Sequence, residues 1–571
     1  GTAGCVLAAR LSEDPSLRVL LIEDGGSGKG VPESRIPSAF TKLWHSQYDY
    51  DLLTEPQENA AGRKIFWPRG EISDRSSINA QMAQYGAPSD FDEWARIIGD
   101  DSWSWNNFNK YFRKFEDFTP NSSYPHINAS NRGKGGPVSI GYNSYTFAGS
   151  PLFVKAAMNV GIPFSGDFGL ETSMKGTNMV MTYVDSHSER VSTETAYLTD
   201  KVLARPNLSV LTRHRVTKLL FERVADGTPC ATGVEFVRVA DGTNGKKWRV
   251  KSRKEVIVSA GAVHSPQILM LSGIGAAEHL AEHNIPLVHD LRGVGMHLTD
   301  HTVVHHRFAD KKKVTFNFGE PYDVSTYANF FMAALRYQLF GTGPFASNVS
   351  EAVIFVRSDD QSLFPKAEWQ SSIEDANSGP DSLDIELLIF PVLVNTDETF
   401  HIKRGAYGYM IVATNLRPTS RGTIRLKSSD PFDNPLMDPN YLATKHAVDV
   451  HVRTAHLTHK IAHTAPMTEM TDTDCQDRTF DHHIVALPNE DLEQFIRGRI
   501  QTLYHPSCTC RMAPLDEGGV VDKDLNVYGV KGLRVCDASV FPELISGHSV
   551  RPNVHYELNH TEEMLVCRPV P

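Results

Sequence analysis

Small and apolar side chains fall at helical spacing in Cys5-Val6-Leu7-Ala8-Ala9-Arg10-Leu11. Ser12-Glu13-Asp14-Pro15 then makes a turn, and Arg18-Val19-Leu20-Leu21-Ile22-Glu23 has the pattern of a short buried strand ending in an acid. A glycine turn, Gly1-Thr2-Ala3-Gly4, precedes the helix. The same order returns in mid-chain. Glu255-Val256-Ile257-Val258-Ser259-Ala260 reads as a buried strand, Gly261-Ala262 as a turn, and the residues that follow as a helix with Pro266 in its first turn. Further strands are predicted at Thr302-Val303-Val304, at 351–356 and at 384–390, while the Pro-, Asp- and Ser-rich stretch Asp359 to Ser382 reads as an exposed connection. No internal repeat is present. No apolar run reaches about 18 residues, so no membrane-spanning helix is predicted.

At 571 residues the chain needs two or more large cores, and its 40% apolar and 22% charged content is that of an ordinary globular protein. The net charge of −11 argues against a nucleic-acid partner, which would want a basic face. The seven cysteines are spread thinly, form no CxxC pair and do not make a disulfide framework. N-glycosylation triplets at Asn121, Asn128, Asn207, Asn348 and Asn559 favour an extracellular glycoprotein; no signal peptide is in this sequence, which begins inside a motif and without Met.

The first 23 residues read as the second half of a βαβ dinucleotide unit. A glycine turn lets backbone N–H groups approach a pyrophosphate at the helix N-terminus, and Glu23 stands where an acid binds an adenosine ribose hydroxyl. A surface helix followed by a strand has the same local pattern. The first strand and first glycine of such a unit are not in the sequence, so the neighbouring strands are expected to lack a partner.

Candidate chemistry lies near the other end. His505 stands in Tyr504-His505-Pro506-Ser507-Cys508-Thr509-Cys510, and His548 in Ser546-Gly547-His548. Two converging loop imidazoles suit removal of a proton from an alcohol, because a neutral imidazole titrates near working pH. The hydride then needs an acceptor. His301, His305 and His306 have a spacing that would suit a metal on a helix, but the β-branched residues between them predict a strand, and no metal is expected. His482-His483 reads as solvated surface.

The run Gly261-Ala262-Val263-His264-Ser265-Pro266-Gln267-Ile268-Leu269-Met270-Leu271-Ser272-Gly273-Ile274-Gly275 resembles a signature of the glucose–methanol–choline (GMC) oxidoreductases at every constrained position. Pro68-Arg69-Gly70 with Ser76 to Ala80, Leu291 to His301, Arg421-Gly422 with Asp438 to Tyr441, and Asp522 to Ser539 resemble further segments of that family, so the likeness spans nearly the whole chain. The resemblance implies an α/β (mixed α+β) architecture: a Rossmann-like FAD-binding domain from residues 1–145, 200–310 and 505–571, and a substrate-binding domain from 146–199 and 311–504 built on an antiparallel sheet with helices. It implies FAD as cofactor, with Gly1, Thr2, Gly4 and Glu23 on the ADP side, Val216 at the adenine, Asn79 beside the isoalloxazine, and Asp537 and Ala538 toward the pyrophosphate and ribityl chain. It implies His505 as catalytic base and His548 as hydrogen-bond partner of the substrate oxygen, with hydride passing to the flavin.

The expected activity is oxidation of a primary aryl or aliphatic alcohol, or of a sugar, with oxygen or a quinone as electron acceptor. Phe345, Phe390 and Tyr504 are candidate site aromatics, which would favour aryl or aliphatic substrates. Two other readings stay open: a non-redox lyase or cyclase using the same histidines, and an inactive paralogue or truncated gene product. The second draws on departures from the family pattern. Glu71-Ile72-Ser73-Asp74-Arg75 replaces a glycine pair, Cys508 stands where many members have glycine, and Val554 to His560 is unusually polar for a helix under a flavin.

Overall fold

The computed structural model describes residues 1–71, 79–168, 174–316, 323–369, 372–394, 403 and 405–549. The replaced stretch Ser73-Asp74-Arg75, the serine-rich residues after it, Asn559 and the polar segment 554–560 lie outside the described residues.

Helix Thr2–Leu11 buries every position from Ala3 to Ala9. An unbroken buried run needs cover on all sides, which explains its small side chains. The cover includes strand Val19–Ile22 and helix Thr193–Tyr197. A Cβ on Gly4 would come within 3.2 Å of Leu21 Cδ1, so glycine sets how closely helix and strand approach. Val19–Ile22 pairs in parallel with Leu208–Leu211, and Val256–Val258 pairs in parallel with Leu533–Val535. Among the described residues these are two separate two-stranded sheets. An antiparallel meander of His214–Arg223, Pro229–Arg238 and Trp248–Lys251 stands beside them, with a β-bulge between Val216 and Lys218.

The second core is a six-stranded antiparallel sheet in the order Gln501–Thr502, Thr302–Ala309, Gly408–Asn415, Ile385–Phe390, Ala352–Val356, Gly176–Met179. Strand Thr302–Ala309, expected in the nucleotide-binding part, is hydrogen-bonded into this sheet. The period of two sorts its side chains to opposite faces. Ala352, Ile354 and Val356 join one apolar cluster with helices Gly149–Asn159 and Lys445–Ala462; Val353, Phe355 and Leu388 join another with Met82, Val180 and Val412. Glu386 shares the face of Leu388, away from those helices. The connection 359–382 carries no regular helix or strand among its described residues.

Three sequence expectations are corrected. The helix after Gly261 begins at Gly261 itself, so Pro266 is interior rather than in the first turn. Its missing N–H leaves the Ala262 carbonyl without the usual intrahelical donor, and Thr509 Oγ1 donates to that oxygen at 2.7 Å instead. His482 is half-buried, not solvated: its Nε2 accepts the Ala309 N–H at 3.1 Å, and burial pushes its pKa down to about 4. Asn348 is fully buried with its amide on the Ala80 and Ser350 carbonyls, and Asn207 donates to Ser12, Asp14 and Leu17, so neither side chain is presented for glycosylation.

Candidate active site

His505 and His548 converge, with ring centroids 4.8 Å apart and planes at 72°. Both are buried. The His505 loop is fastened on two sides. Its main-chain N–H donates to Asp300 Oδ1 at 2.8 Å, and Asp300 also accepts the Thr502 hydroxyl at 2.5 Å and the Tyr441 hydroxyl. Further along the loop, Cys508 N–H donates to the Ala538 carbonyl and Cys510 N–H to that of Ser539. Cys508 holds φ at +70°, a conformation glycine enters freely, which agrees with the glycine expected at this position. The His548 turn is held by Ser546, whose N–H and Oγ both donate to Asp90 Oδ2 at 2.8 and 2.7 Å. Gly547 lets the turn pass the backbone of Gly86, since a Cβ would sit 2.5 Å from Gly86 N.

Two residues that the sequence analysis gave no part in catalysis complete the group. His301 Nδ1 lies 2.9 Å from His505 Nδ1, and His301 Nε2 lies 3.1 Å from the Ile545 carbonyl. Glu386, fully buried, lies 3.1 Å from His548 Nε2 through Oε1 and also accepts from Gln84 Nε2 at 3.0 Å. A single acid inside the otherwise apolar run Ile385–Phe390 was the available signal for Glu386. Burial, the neighbouring His548 and the neighbouring His301 push the His505 pKa well below the usual imidazole range. His301 is pushed down to about 3, mainly by burial. Of the expected aromatics, Tyr504 packs edge-on against Trp44 and Phe345 against Phe330, whereas Phe390 lies along the cluster on the Glu386 face.

The residues assigned to the nucleotide gather in two places. Helix Thr2–Leu11 starts at Gly1 with no side-chain cap. Buried Glu23 accepts the Gly25 N–H at 2.9 Å, and the Gly1 nitrogen lies 2.7 Å from its other oxygen. The His214 N–H donates to the Glu23 carbonyl, and Arg215 pairs with Asp24 at 2.8 Å, so the strand that carries Val216 starts at Glu23. The second place is the start of helix Gly261–Leu271. Asp537 accepts from Gly261 N–H at 2.8 Å, from Ser265 Oγ at 2.5 Å and from Ser539 N–H at 2.8 Å. Gly261 has φ +82°, and a Cβ on it would stand 2.6 Å from Arg69 Nη2. Asn79 Oδ1 accepts from Gln81 N–H and from Arg190 Nη1.

This set fits FAD. A helix that starts on a glycine, where backbone can approach closely, suits a pyrophosphate. A buried acid at the following strand end suits a ribose hydroxyl. The close approach of Arg69 to Gly261 leaves room for backbone only, with a guanidinium at hand for a phosphate.

Residues 1–303 and 418–554 match the N-terminal and C-terminal GMC oxidoreductase families respectively. The chain is 36% identical over 566 residues to the dehydrogenase str4 of Strobilurus tenacellus, covering 96% of this chain and 90% of that one. It is 32% identical over 569 residues to an alcohol dehydrogenase [acceptor] of Pseudomonas putida, covering 98% and 94%. Among solved structures, an FAD-dependent oxidoreductase from Chaetomium thermophilum superposes with a TM-score of 0.85 at 26% identity, covering 99% of this chain and 97% of that one.

Proposed function

Because this chain belongs to the GMC oxidoreductase family, we propose that it oxidises the CH–OH group of a primary aryl or aliphatic alcohol, with His505 as the base. The chain is an oxidoreductase of alcohol-like substrates, and its cofactor is FAD. The observation that carries the finer reading is the convergence of His505 and His548, two buried imidazoles 4.8 Å apart on separately anchored loops.

FAD, when bound, would supply the hydride acceptor for the alcohol carbon. The chain's residues handle the proton and the orientation. His505 is held neutral by burial and so is ready to take the hydroxyl proton. His548, held by Glu386, would hydrogen-bond the substrate oxygen. Burial of both rings keeps water from competing for these contacts. Gly1, Thr2, Gly4, Glu23 and Val216 would hold the ADP end, Arg69, Asp537 and Ala538 the phosphates and ribityl chain, and Asn79 the ring end. Phe390, partly buried on the Glu386 face of the sheet, supports an apolar alcohol over a sugar.

The test is anaerobic mixing of the flavin-loaded protein with a panel of aryl, aliphatic and sugar alcohols. Bleaching of the flavin with an aryl or aliphatic alcohol is expected. No bleaching with any of them, flavin being bound, overturns the reading. Reoxidation of the bleached protein by air or by an added quinone then identifies the acceptor.

A further inference from the structure

Donors and acceptors in the buried histidine pair can be assigned one atom at a time. The Ile545 carbonyl oxygen has lone pairs and no proton, so His301 Nε2, 3.1 Å away, carries the hydrogen of that bond. Burial keeps His301 neutral, and a neutral imidazole has a single N–H. Two backbone carbonyls, those of Ile545 and Leu416, act on this ring; the hydrogen bond formed is that of Nε2 to Ile545, and with the proton there His301 Nδ1 is a bare acceptor. His505 Nδ1 lies 2.9 Å from it and must be the donor. His505 is itself neutral, so its one ring proton is spent on Nδ1, and Nε2 keeps an open lone pair.

We propose that His301 is a positioning residue that fixes the tautomer of His505, holding its proton on Nδ1 and presenting Nε2 as the base. The inference rests on the reading of His505 as base and deepens it, because only one of the two tautomers offers a lone pair on the ring edge away from His301. The same residue secures both loops. Its main-chain carbonyl accepts the Leu503 N–H at 2.9 Å, its neighbour Asp300 holds the His505 N–H, and its Nε2 reaches the residue before Ser546 in the His548 turn. One dipeptide thus sets where His505 stands and which nitrogen is bare. Tautomer control by the partner of the other ring nitrogen is a general property of histidine sites.

The test has two arms on the flavin-loaded protein. In the first, the protein is labelled with ¹⁵N-histidine, and two-bond proton–nitrogen spectra read the tautomer of His505, whose signals are identified by their loss in His505→Gln. A protonated Nδ1 and an unprotonated Nε2 are expected; a protonated Nε2 overturns the proposal. In the second arm, His301→Asn keeps an acceptor near the place of Nδ1, and His301→Leu removes it. Flavin reduction by alcohol is expected to slow on the order of 100-fold in His301→Leu and by no more than about tenfold in His301→Asn, the scale of general-base contributions. A wild-type rate in His301→Leu overturns the proposal, and so does equal slowing in both variants at full flavin content, which would mark a packing role. If His301→Leu does not fold, the wild-type spectrum decides alone. Failure of the wild-type protein to bleach with any alcohol sinks the base reading of His505 instead, and the spectrum still judges His301.

Discussion

His548 Nε2 sits 3.1 and 3.2 Å from the two carboxylate oxygens of Glu386, so a histidine near the end of the chain is held by an acid from an inner strand of the antiparallel sheet. The antiparallel sheet and the His548 turn meet through this contact. Glu386→Leu strands two buried donors, the His548 ring and the Gln84 amide, each at a cost of about 1–3 kcal/mol. A lower melting temperature and slower flavin reduction are expected together. Glu386→Gln, which keeps one carbonyl acceptor, should lose less of both. Thermal melts and stopped-flow reduction check this; an unchanged reduction rate in Glu386→Leu would remove Glu386 from the mechanism.

His505→Ala should keep flavin and fold while slowing flavin reduction by about 10²–10⁴-fold. The loop is fastened through main-chain bonds to Asp300 and Ala538, which the substitution leaves in place. Flavin content and reduction rate measured on one preparation separate loss of base from loss of cofactor.

Gly261→Ala places a methyl 2.6 Å from the Arg69 guanidinium in a backbone region that costs an L residue about 1–2 kcal/mol. Arg69 must swing away, and the start of helix Gly261–Leu271 must shift. The flavin-to-protein ratio of the purified variant is expected to fall well below stoichiometric. Retention of full flavin would mean that Arg69 and Gly261 are not part of the cradle.

Acid should unfold the protein early. His301, His305, His306 and His451 are buried, and desolvation pushes each down to about 3 from an ordinary 6.5. The unfolded chain binds protons at these sites as pH falls below about 6.5 and the folded chain does not, so their stabilisation is complete above that pH and drains away toward 3. Asp300 and Glu116 act in the opposite sense: burial raises them to about 6 and about 7, so the fold takes up protons there first. Burial likewise raises Asp49, Glu93, Asp167, Glu351, Asp384 and Asp481, and lowers His279, His297, His446, His456, His459, His482 and His505, so the depressed imidazoles still outnumber the raised carboxyls and leave a net loss. The melting temperature should decline between pH 6.5 and 4 and more steeply below, where the unfolded carboxyls also protonate. A flat profile from pH 7 to 4 would contradict the burial of these rings.

The elements themselves were legible in the sequence where one periodicity dominated. The strands at 256–258, 352–356 and 385–390 and the helix at 2–11 follow from apolar runs bounded by turns, and His505 with His548 stood out by motif. His301 was legible as a strand-edge residue but not as a partner, because its role depends on a carbonyl 244 residues away. Glu386 was hidden for a related reason: strand pairing decides which face an isolated acid occupies. Pro266 misled through a local rule, since proline favours the first turn of a helix, and the donor that lets it sit deeper comes from Thr509 on a distant loop. What the sequence withheld was long-range partnership, not local conformation.

The parallel pairing of Val256–Val258 with Leu533–Val535 also constrains how the protein is made. A ribosome adding about 5–20 residues per second needs roughly 15–55 s to travel from one strand to the other. Throughout that interval the first strand offers an open apolar edge, the kind of surface that recruits other chains. Production should therefore be limited by the nascent chain's exposure and improve with slower growth temperature or co-expressed chaperones, even where the finished enzyme is stable.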